Sequence, residues 1–273
     1  MEAKAVNFKT AKGIKSAFLV IVCCFILAVC VFHFVLGDPA NFMNNDPNNH
    51  PLPGNFKGTI YKGGVIVPVL QTLFLTVIVL SIERAFAITK AKGKGNVTKF
   101  VKNVKEALDK NDTAKARELC VKQKGCVASV VYSTLTKYEE MEKDTTLAKE
   151  QKLMNIQKEL DEATALEMPS LQQNLVVIAT MTTLGTLIGL LGTVIGMIKS
   201  FAALATAGSP DSVALSAGIS EALINTAFGI ATSWCAVVSY NYFTNKVDKL
   251  TFALDEVGYS IAQTYETNHT EEA

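Results

Sequence analysis

The sequence predicts an all-α integral membrane protein with four transmembrane helices, and three observations support this fold class. Its composition is too apolar for an ordinary soluble domain, because 49% of the 273 residues are hydrophobic and only 19% are charged, with a mean hydropathy of +0.26. Four apolar stretches reach the length of about 20 residues that a helix needs to cross a hydrocarbon core of about 30 Å. Finally, the charged residues concentrate outside these stretches.

The four apolar stretches are called here the first to fourth spans. They run from Ala17 to Leu36, from Val65 to Ile82, from Leu171 to Ala205 and from Val213 to Phe243. The first span follows a lysine-rich segment, so a cleaved signal peptide is an alternative reading of it. Its length, and the lack of suitably small residues before Gly37, favour a retained membrane anchor.

Basic residues predict the orientation of the spans. They cluster before the first span and again after the second, from Arg84 to Lys105. Because cytoplasmic flanks carry an excess of Lys and Arg, both flanks are expected in the cytoplasm. With four spans, both termini then face the cytoplasm, and the Asn- and Pro-rich segment between the first two spans forms an irregular loop on the periplasmic side.

The polar middle of the chain is predicted to be a cytoplasmic helical bundle. Val97 to Leu108 and Ala148 to Leu166 place apolar residues three and four positions apart among Lys and Glu. Pro169 is expected to mark the start or a kink of the third span. The predicted segments are an N-terminal segment 1–16, a helix 17–36, a periplasmic loop 37–64, a helix 65–83, a cytoplasmic domain 84–168, a helix 169–205, a periplasmic turn 206–212, a helix 213–243 and a cytoplasmic C-terminal helix and tail 244–273.

Several function classes are disfavoured by the sequence. The six cysteines form no CxxC pair and have no adjacent histidines, so they are interpreted as small apolar residues and not as disulfides or zinc ligands. Paired carboxylates, a Ser/His dyad, an HExxH motif and a phosphate-binding loop are all missing, so neither an enzyme nor a cofactor is expected. A net charge of +1 gives no indication of a nucleic-acid partner.

Glycines and hydroxyls are spaced regularly along the third span. Gly185, Gly189, Gly192 and Gly196 alternate four- and three-residue spacings, which predicts one helix face on which another helix packs closely. Thr182, Thr186, Thr193 and Ser200 form a neighbouring hydroxyl row. Taken singly, each hydroxyl is better explained by a bond to its own helix backbone, whereas the aligned row beside the glycines favours a function.

The fourth span carries polar residues on two lines. Glu221, Asn225, Thr232 and Ser239 share one face, and Thr226, Ser233 and Tyr240 form a second line. A charged glutamate costs about 2.5 to 3.5 kcal/mol at mid-bilayer on insertion scales, so Glu221 is expected to face an aqueous path or a protein interior. The alternative is that it lies near the periplasmic surface, satisfied by water or a helix cap.

Counting from the predicted turn at residues 207–211 places Thr193 and Thr226 at similar depth, each about 22 to 25 Å from the tip of the hairpin. The polar lines therefore indicate the wall of a pathway for a proton or a charged partner helix. The residues predicted to line it are Thr186, Thr193, Ser200, Glu221, Asn225, Thr226, Thr232 and Ser233. Since the spans contain no Asp, a second subunit is expected to supply the main titrating group.

Two segments of the hairpin resemble the double signature of the MotA/TolQ/ExbB proton-channel family. They are Gly189-Leu-Leu-Gly-Thr-Val-Ile-Gly196 and Gly218-Ile-Ser-Glu-Ala-Leu-Ile-Asn-Thr-Ala-Phe-Gly-Ile230. Because Glu221 precedes Thr226 in this pattern, the resemblance is closer to ExbB, and then TolQ, than to flagellar stators. Two departures are Lys199, expected to extend to the periplasmic surface, and the additional first span.

The resemblance implies a homo-oligomeric ring, a pentamer, around a central pore in the bacterial inner membrane. An ExbD- or TolR-like single-span partner would lie inside the ring, and a TonB-like protein would receive the energy of the ion flow. Thr193 and Thr226 would be pore hydroxyls and Glu221 the pore carboxylate, with H⁺ as the expected translocated ion. Alternatives left open are a TolQ-like role in envelope maintenance, Na⁺ as the coupling ion and a non-conducting scaffold whose polar residues only join helices.

Overall fold

The structure is a computed structural model that describes residues 16–206 and 212–269. These residues contain nine α-helices and no β-strand, in agreement with the predicted all-α class. Most of the predicted N-terminal segment 1–16, most of the predicted turn 206–212 and the last residues of the C-terminal tail lie outside the described residues. The helices are α1 Ala17–Cys30, α2 Phe56–Tyr61, α3 Val67–Lys92, α4 Val97–Leu108, α5 Thr113–Gln123, α6 Gly125–Lys143, α7 Lys149–Gln172, α8 Leu175–Thr206 and α9 Ser212–Asn268.

Four helical stretches, beginning at Ala17, Gly64, Lys149 and Val213, are long and apolar enough to cross a membrane. This number is the one that the sequence predicts. The described residues of Ile14–Ile82 and Asn174–Asn241 form one compact unit, called here the apolar unit. Those of Glu83–Gln173 and Tyr242–Ala273 form a second, called the polar unit.

In the apolar unit, the end of the first span packs against the segment that follows it. After Cys30 the helix continues as a π-helical segment, Val31–Leu36, and the ring of Phe32 stacks on Tyr61 with centroids 4.6 Å apart. Tyr61 belongs to α2, which the sequence did not predict within the irregular loop. Asn55 begins α2 because its side chain accepts hydrogen bonds from the backbone N–H groups of Lys57 and Gly58.

Many large apolar side chains of the apolar unit are exposed in the single chain. Phe18 and Phe34 on the first span are 74% and 79% exposed, and Leu190 on α8 and Trp234 on α9 are also exposed. Such exposure is unusual for a protein surrounded by water and typical of helices that contact lipid or neighbouring subunits. Together with the four apolar helices, this exposed apolar surface is that of a multi-pass membrane protein.

The polar unit is a bundle in which α4 packs on α5, α5 on α6 and α6 on α7. Asn96 and Asp112 begin α4 and α5 by accepting hydrogen bonds from the N–H groups of Thr98 and Lys115. The second half of α9 completes the core, where the rings of Tyr138 and Tyr265 meet edge to face with centroids 5.0 Å apart. The predicted helical character of this region is confirmed.

Two kinds of titratable group are buried in the polar unit. Burial raises the pKa of the Glu167 carboxyl above its ordinary value, although a hydrogen bond from Ser129 opposes the shift. Burial also raises the pKa of the Cys120 and Cys126 thiols to about 12. All six cysteines are free thiols, and these two are shielded from solvent.

The helix preceding the third span ends after Pro169, not at it. Pro169 lies inside α7, which runs to Gln172, and the interruption occurs at Asn174, whose φ of 62° is left-handed. A proline removes one backbone donor but does not by itself end a helix when neighbouring residues keep helical angles. Fully buried Arg84 donates hydrogen bonds from Nη1 to the carbonyl oxygens of Ser170 (3.2 Å) and Leu171 (3.5 Å), which satisfies the end of α7.

Candidate ion pathway

The glycines of α8 form the contact with α9, as their spacing predicts. A β-carbon at Gly189 would lie 3.0 Å from the Cα of Gly229, and one at Gly196 would lie 2.7 Å from the carbonyl oxygen of Gly218. Low-numbered residues of α8 thus contact high-numbered residues of α9, so the two helices are antiparallel. Because only glycine leaves space for such backbone contact, the seam fixes which faces of α8 and α9 meet.

Four of the predicted pathway residues are buried inside the chain: Ser200, Glu221, Asn225 and Thr232. The hydroxyl of Ser200 is near the carbonyl oxygens of Gly196 (3.1 Å) and Leu215 (3.2 Å). Thr232 donates to the carbonyl oxygen of Phe228 at 2.8 Å. Thr232 therefore bonds its own helix backbone, whereas Ser200 also reaches a carbonyl oxygen of α9 and helps to join the two helices.

Asn225 links the fourth span to the segment before the second. Its Nδ2 donates to the carbonyl oxygen of Gly63 at 2.9 Å, while its Oδ1 is buried and accepts no hydrogen bond from the described residues. A buried amide oxygen normally has a partner, and a water molecule is the usual one where protein groups are lacking. The amide oxygen of Asn225 could therefore accept a hydrogen bond from a water molecule of a hydrated path.

Glu221 and Lys199 form an ion pair that the sequence did not predict. Nζ of Lys199 lies 2.6 Å from Oε1 of Glu221. From the sequence, Lys199 was expected to extend to the periplasmic surface, and Glu221 to face an aqueous path or a protein interior, without a link between the two. Counting from residues 207–211 could have matched the two, because Lys199 precedes and Glu221 follows this turn by similar numbers of residues.

The remaining predicted pathway hydroxyls lie at the surface of the single chain. Thr186 is exposed, and Thr193, Thr226 and Ser233 are partly exposed. The Oγ atoms of Thr186 and Ser233 are 2.8 Å apart, and Ser233 also bonds the carbonyl oxygen of Thr182 at 2.6 Å. Since the single hydrogen of Ser233 goes to that carbonyl, Thr186 is the donor in the pair of hydroxyls.

Thr193 and Thr226 each donate to their own helix. The acceptors are the carbonyl oxygens of Leu190 at 2.6 Å and Ala222 at 3.2 Å. Among the described residues, no hydrogen bond joins the two threonines. Their oxygen lone pairs remain available as acceptors at the chain surface, where a neighbouring subunit or water can reach them. Their assignment to a pore stays a prediction.

Gly64 is a site residue that sequence reasoning missed. Its φ of +74° lies in the left-handed region, and a β-carbon there would collide with Oε1 of Glu221. Glycine is needed at this position both because its backbone angle is left-handed and because a side chain would not fit. The available signal was the Gly63-Gly64 pair directly before the second span, together with the backbone acceptor that Gly63 provides for Asn225. Among the described residues, no group of three or more His, Cys, Asp and Glu could hold a metal ion.

Most of the α8–α9 hairpin lies within a match to a known protein family. The sequence profile of the MotA/TolQ/ExbB proton channel family matches residues 124–256. The predicted resemblance to this family is confirmed. The matched residues include the whole glycine seam, the ion pair and all eight predicted pathway residues, so the MotA/TolQ/ExbB likeness falls on the hairpin and part of the polar unit.

Individual relatives cover only part of this chain. The Tol-Pal system protein TolQ of Pseudomonas aeruginosa is 36% identical over 88 residues, which is 32% of this chain and 38% of that protein. The biopolymer transport protein ExbB of Salmonella typhimurium is 32% identical over 84 residues, 31% of this chain and 34% of that protein. A putative ExbB homolog of Methanothermobacter thermautotrophicus is 22% identical over 198 residues, 71% of this chain and 66% of that protein. These relatives do not separate an ExbB-like from a TolQ-like chain.

Proposed function

We propose that this chain is an ExbB-like channel or stator subunit of an ion-driven motor in the bacterial inner membrane. The observation that carries the proposal is the α8–α9 hairpin, which packs through glycines and places a carboxylate, an amide and hydroxyls along one helix pair within the family match. In a membrane helix such polar groups are costly, so they indicate a path for ions or a site for a charged partner.

Two groups of polar residues have distinct roles in this proposal. Ser200, Glu221, Asn225 and Thr232 are buried within the chain, where they set the geometry of the hairpin and hold water at Asn225. Thr186, Thr193 and Thr226 reach the chain surface, where copies of the chain arranged in a ring would bring them to a shared axis. A homo-pentamer around an ExbD- or TolR-like single-span protein, acting on a TonB-like protein, is the assembly we propose. The translocated ion is H⁺, with no resident cofactor.

The direct test is proton flux into liposomes that contain the full chain together with its single-span partner. Thr226→Ala is expected to reduce the flux by about 10²-fold or more if this hydroxyl serves proton transfer in the way that positioned acid–base groups do. Thr180→Ala is the matched control. Thr180 is an exposed threonine of α8 that also bonds its own backbone, at Val176, but lies outside the predicted pathway. Equal flux in the two variants would contradict the pathway.

A non-conducting scaffold makes the opposite prediction. Such a protein would give no proton flux in any variant, while its oligomer would still form and bind the partner. Measuring the mass of the purified complex alongside the flux therefore separates a scaffold from an inactive preparation. A flux that is present, and that falls with Glu221→Ala as well as Thr226→Ala, supports conduction.

A TolQ-like role in envelope maintenance is the second candidate, favoured by the similarity to TolQ of Pseudomonas aeruginosa. Deletion of the chain separates the two roles. Loss of growth on a nutrient that requires active outer-membrane uptake, with normal resistance to detergents, supports the ExbB-like role. Detergent sensitivity with normal uptake supports the TolQ-like role.

A further inference from the structure

The only two charged side chains within the four predicted spans meet each other in the structure. Lys199 is the single basic residue of the third span, and Glu221 is the single acidic residue of the fourth. The first and second spans contain no Asp, Glu, Lys or Arg. Since Nζ of Lys199 lies 2.6 Å from Oε1 of Glu221, the one carboxylate of the spans already has a cation as its partner.

The two members of the pair are buried to different degrees. The side chain of Glu221 is 10% exposed, whereas that of Lys199 is 51% exposed. The carboxylate also lies directly against the backbone of Gly64, where no β-carbon would fit. The carboxylate is thus held between Lys199 and Gly64, and the more accessible member of the pair is the ammonium.

This arrangement bears on which ion the pathway accepts. Hard cations such as Na⁺ are held by several oxygen ligands, among which carboxylates bind best. An ammonium at hydrogen-bond distance occupies the carboxylate and repels a second cation. The other polar groups of the pathway are neutral hydroxyls and one amide. A proton carried on hydroxyls, water or a neutral carboxylic acid needs no such set of ligands.

We infer that Lys199 is a specificity-determining residue, whose ammonium prevents Glu221 from binding Na⁺ and thereby restricts the pathway to protons. The inference rests on the proposed function, since only a conducting pathway has an ion to select. Na⁺ binding, however, can be measured on the purified chain without conduction. The two ideas therefore fail in different experiments.

The first experiment measures equilibrium binding of radiolabelled Na⁺ to the full chain in detergent, with choline replacing Na⁺ to define the background. Wild type and Lys199→Arg, which keeps the cation, are expected to show no saturable binding. Lys199→Met removes the ammonium and keeps an apolar stem. It is expected to show saturable Na⁺ binding, at least about tenfold tighter than the weakest binding that the assay detects, equivalent to about 1.4 kcal/mol.

Adding Glu221→Gln to Lys199→Met is expected to abolish the gained binding, because the carboxylate is then missing. Saturable Na⁺ binding by wild type that Glu221→Gln removes would overturn the inference. A Lys199→Met variant that binds no more Na⁺ than wild type would overturn it equally.

A second measurement uses wild type only and does not depend on how the variants fold. Proton flux into liposomes should proceed at the same rate when choline replaces Na⁺ on both sides. A flux that requires Na⁺ would overturn the inference while leaving conduction intact. Absence of flux in both media would refute the proposed function, and the Na⁺-binding results on the purified chain would then still decide whether Lys199 blocks the carboxylate.

Discussion

Replacing Arg84 is expected to destabilise the polar unit more than replacing any partly exposed member of an ion pair. Arg84 is fully buried, and its guanidinium forms a fork on Glu83, with Nε 2.6 Å from Oε2 and Nη2 2.5 Å from Oε1. The same guanidinium bonds the carbonyl oxygens of Ser170 and Leu171. Arg84→Met keeps an apolar stem of similar length but leaves the Glu83 carboxylate, 10% exposed, without this cation.

The magnitude follows from burial. Removing one partner of a buried ion pair costs about 3 to 5 kcal/mol, because a charge that has been taken out of water loses its counter-charge. At about 2 to 4 °C per kcal/mol for a chain of this size, the unfolding midpoint should fall by roughly 6 to 20 °C. Combining Arg84→Met with Glu83→Gln should recover about half of this loss, since the carboxylate that has lost the guanidinium is then replaced by a neutral amide.

Arg117 provides the matched control within the same unit. Its Nη1 lies 2.6 Å from Oε2 of Glu139, but both side chains are more than 20% exposed, at 22% and 23%. Arg117→Met should therefore cost only about 1 to 2 kcal/mol, including the loss of its contact with the Tyr132 ring. The assay is thermal unfolding of the purified chain in one detergent. Equal shifts for Arg84→Met and Arg117→Met would refute the argument from burial.

Two further predictions concern the seam and the polar unit. A β-carbon at Gly229 would lie 2.6 Å from the carbonyl oxygen of Gly185 and 2.8 Å from the Cα of Gly189, so Gly229→Ala should destabilise the chain. Overpacking costs about 1 to 3 kcal/mol and outweighs the roughly 1 kcal/mol that alanine gains in a free helix. Ala231→Ser, at an exposed position of the same helix, is the control, and a stabilised Gly229→Ala would contradict close packing. For Glu167, whose pKa is raised in the folded state, wild-type stability should fall as pH rises from about the ordinary value of 4.5 through the raised value, because the folded state releases its proton later than the unfolded state. Glu167→Gln should flatten this dependence and raise the unfolding midpoint at neutral pH, and an unchanged pH profile would contradict it.

Much of the hairpin could be predicted from sequence because its determinants are periodic. Glycines three and four residues apart on α8 must share a helix face, and Gly189 and Gly196 do meet Gly229 and Gly218 of α9. The number of spans could also be predicted, because the length and apolar composition of each stretch are properties of one continuous segment. Periodicity describes one helix at a time, and it is reliable where the helix itself determines which residues lie side by side.

The predictions that differed from the structure depend on contacts between distant segments. The hydrogen bond from Asn225 to the carbonyl oxygen of Gly63 joins residues 162 positions apart, which no local pattern shows. The end of α7 is stabilised by Arg84 of α3, which donates a hydrogen bond to the carbonyl oxygen of Ser170. The position of Pro169 alone therefore did not predict where α7 ends. Helix α2 is short and begins with Asn55 in a segment rich in turn residues, where its cap could not be told from a turn.

The polar groups of the hairpin differ in whether their hydrogen bonds join the two helices or stay within one helix. The buried hydroxyls of Ser200 and Thr232 bond backbone carbonyl oxygens, and Glu221 pairs with Lys199, so these groups are satisfied within one chain. Thr193 and Thr226 are partly exposed and each donates to its own helix backbone, whereas Thr186 bonds Ser233 across the α8–α9 contact. Joining α8 to α9 does not require the hydroxyls of Thr193 and Thr226, so the prediction that these two residues line a pathway is the one that the flux measurement on Thr226→Ala tests most directly.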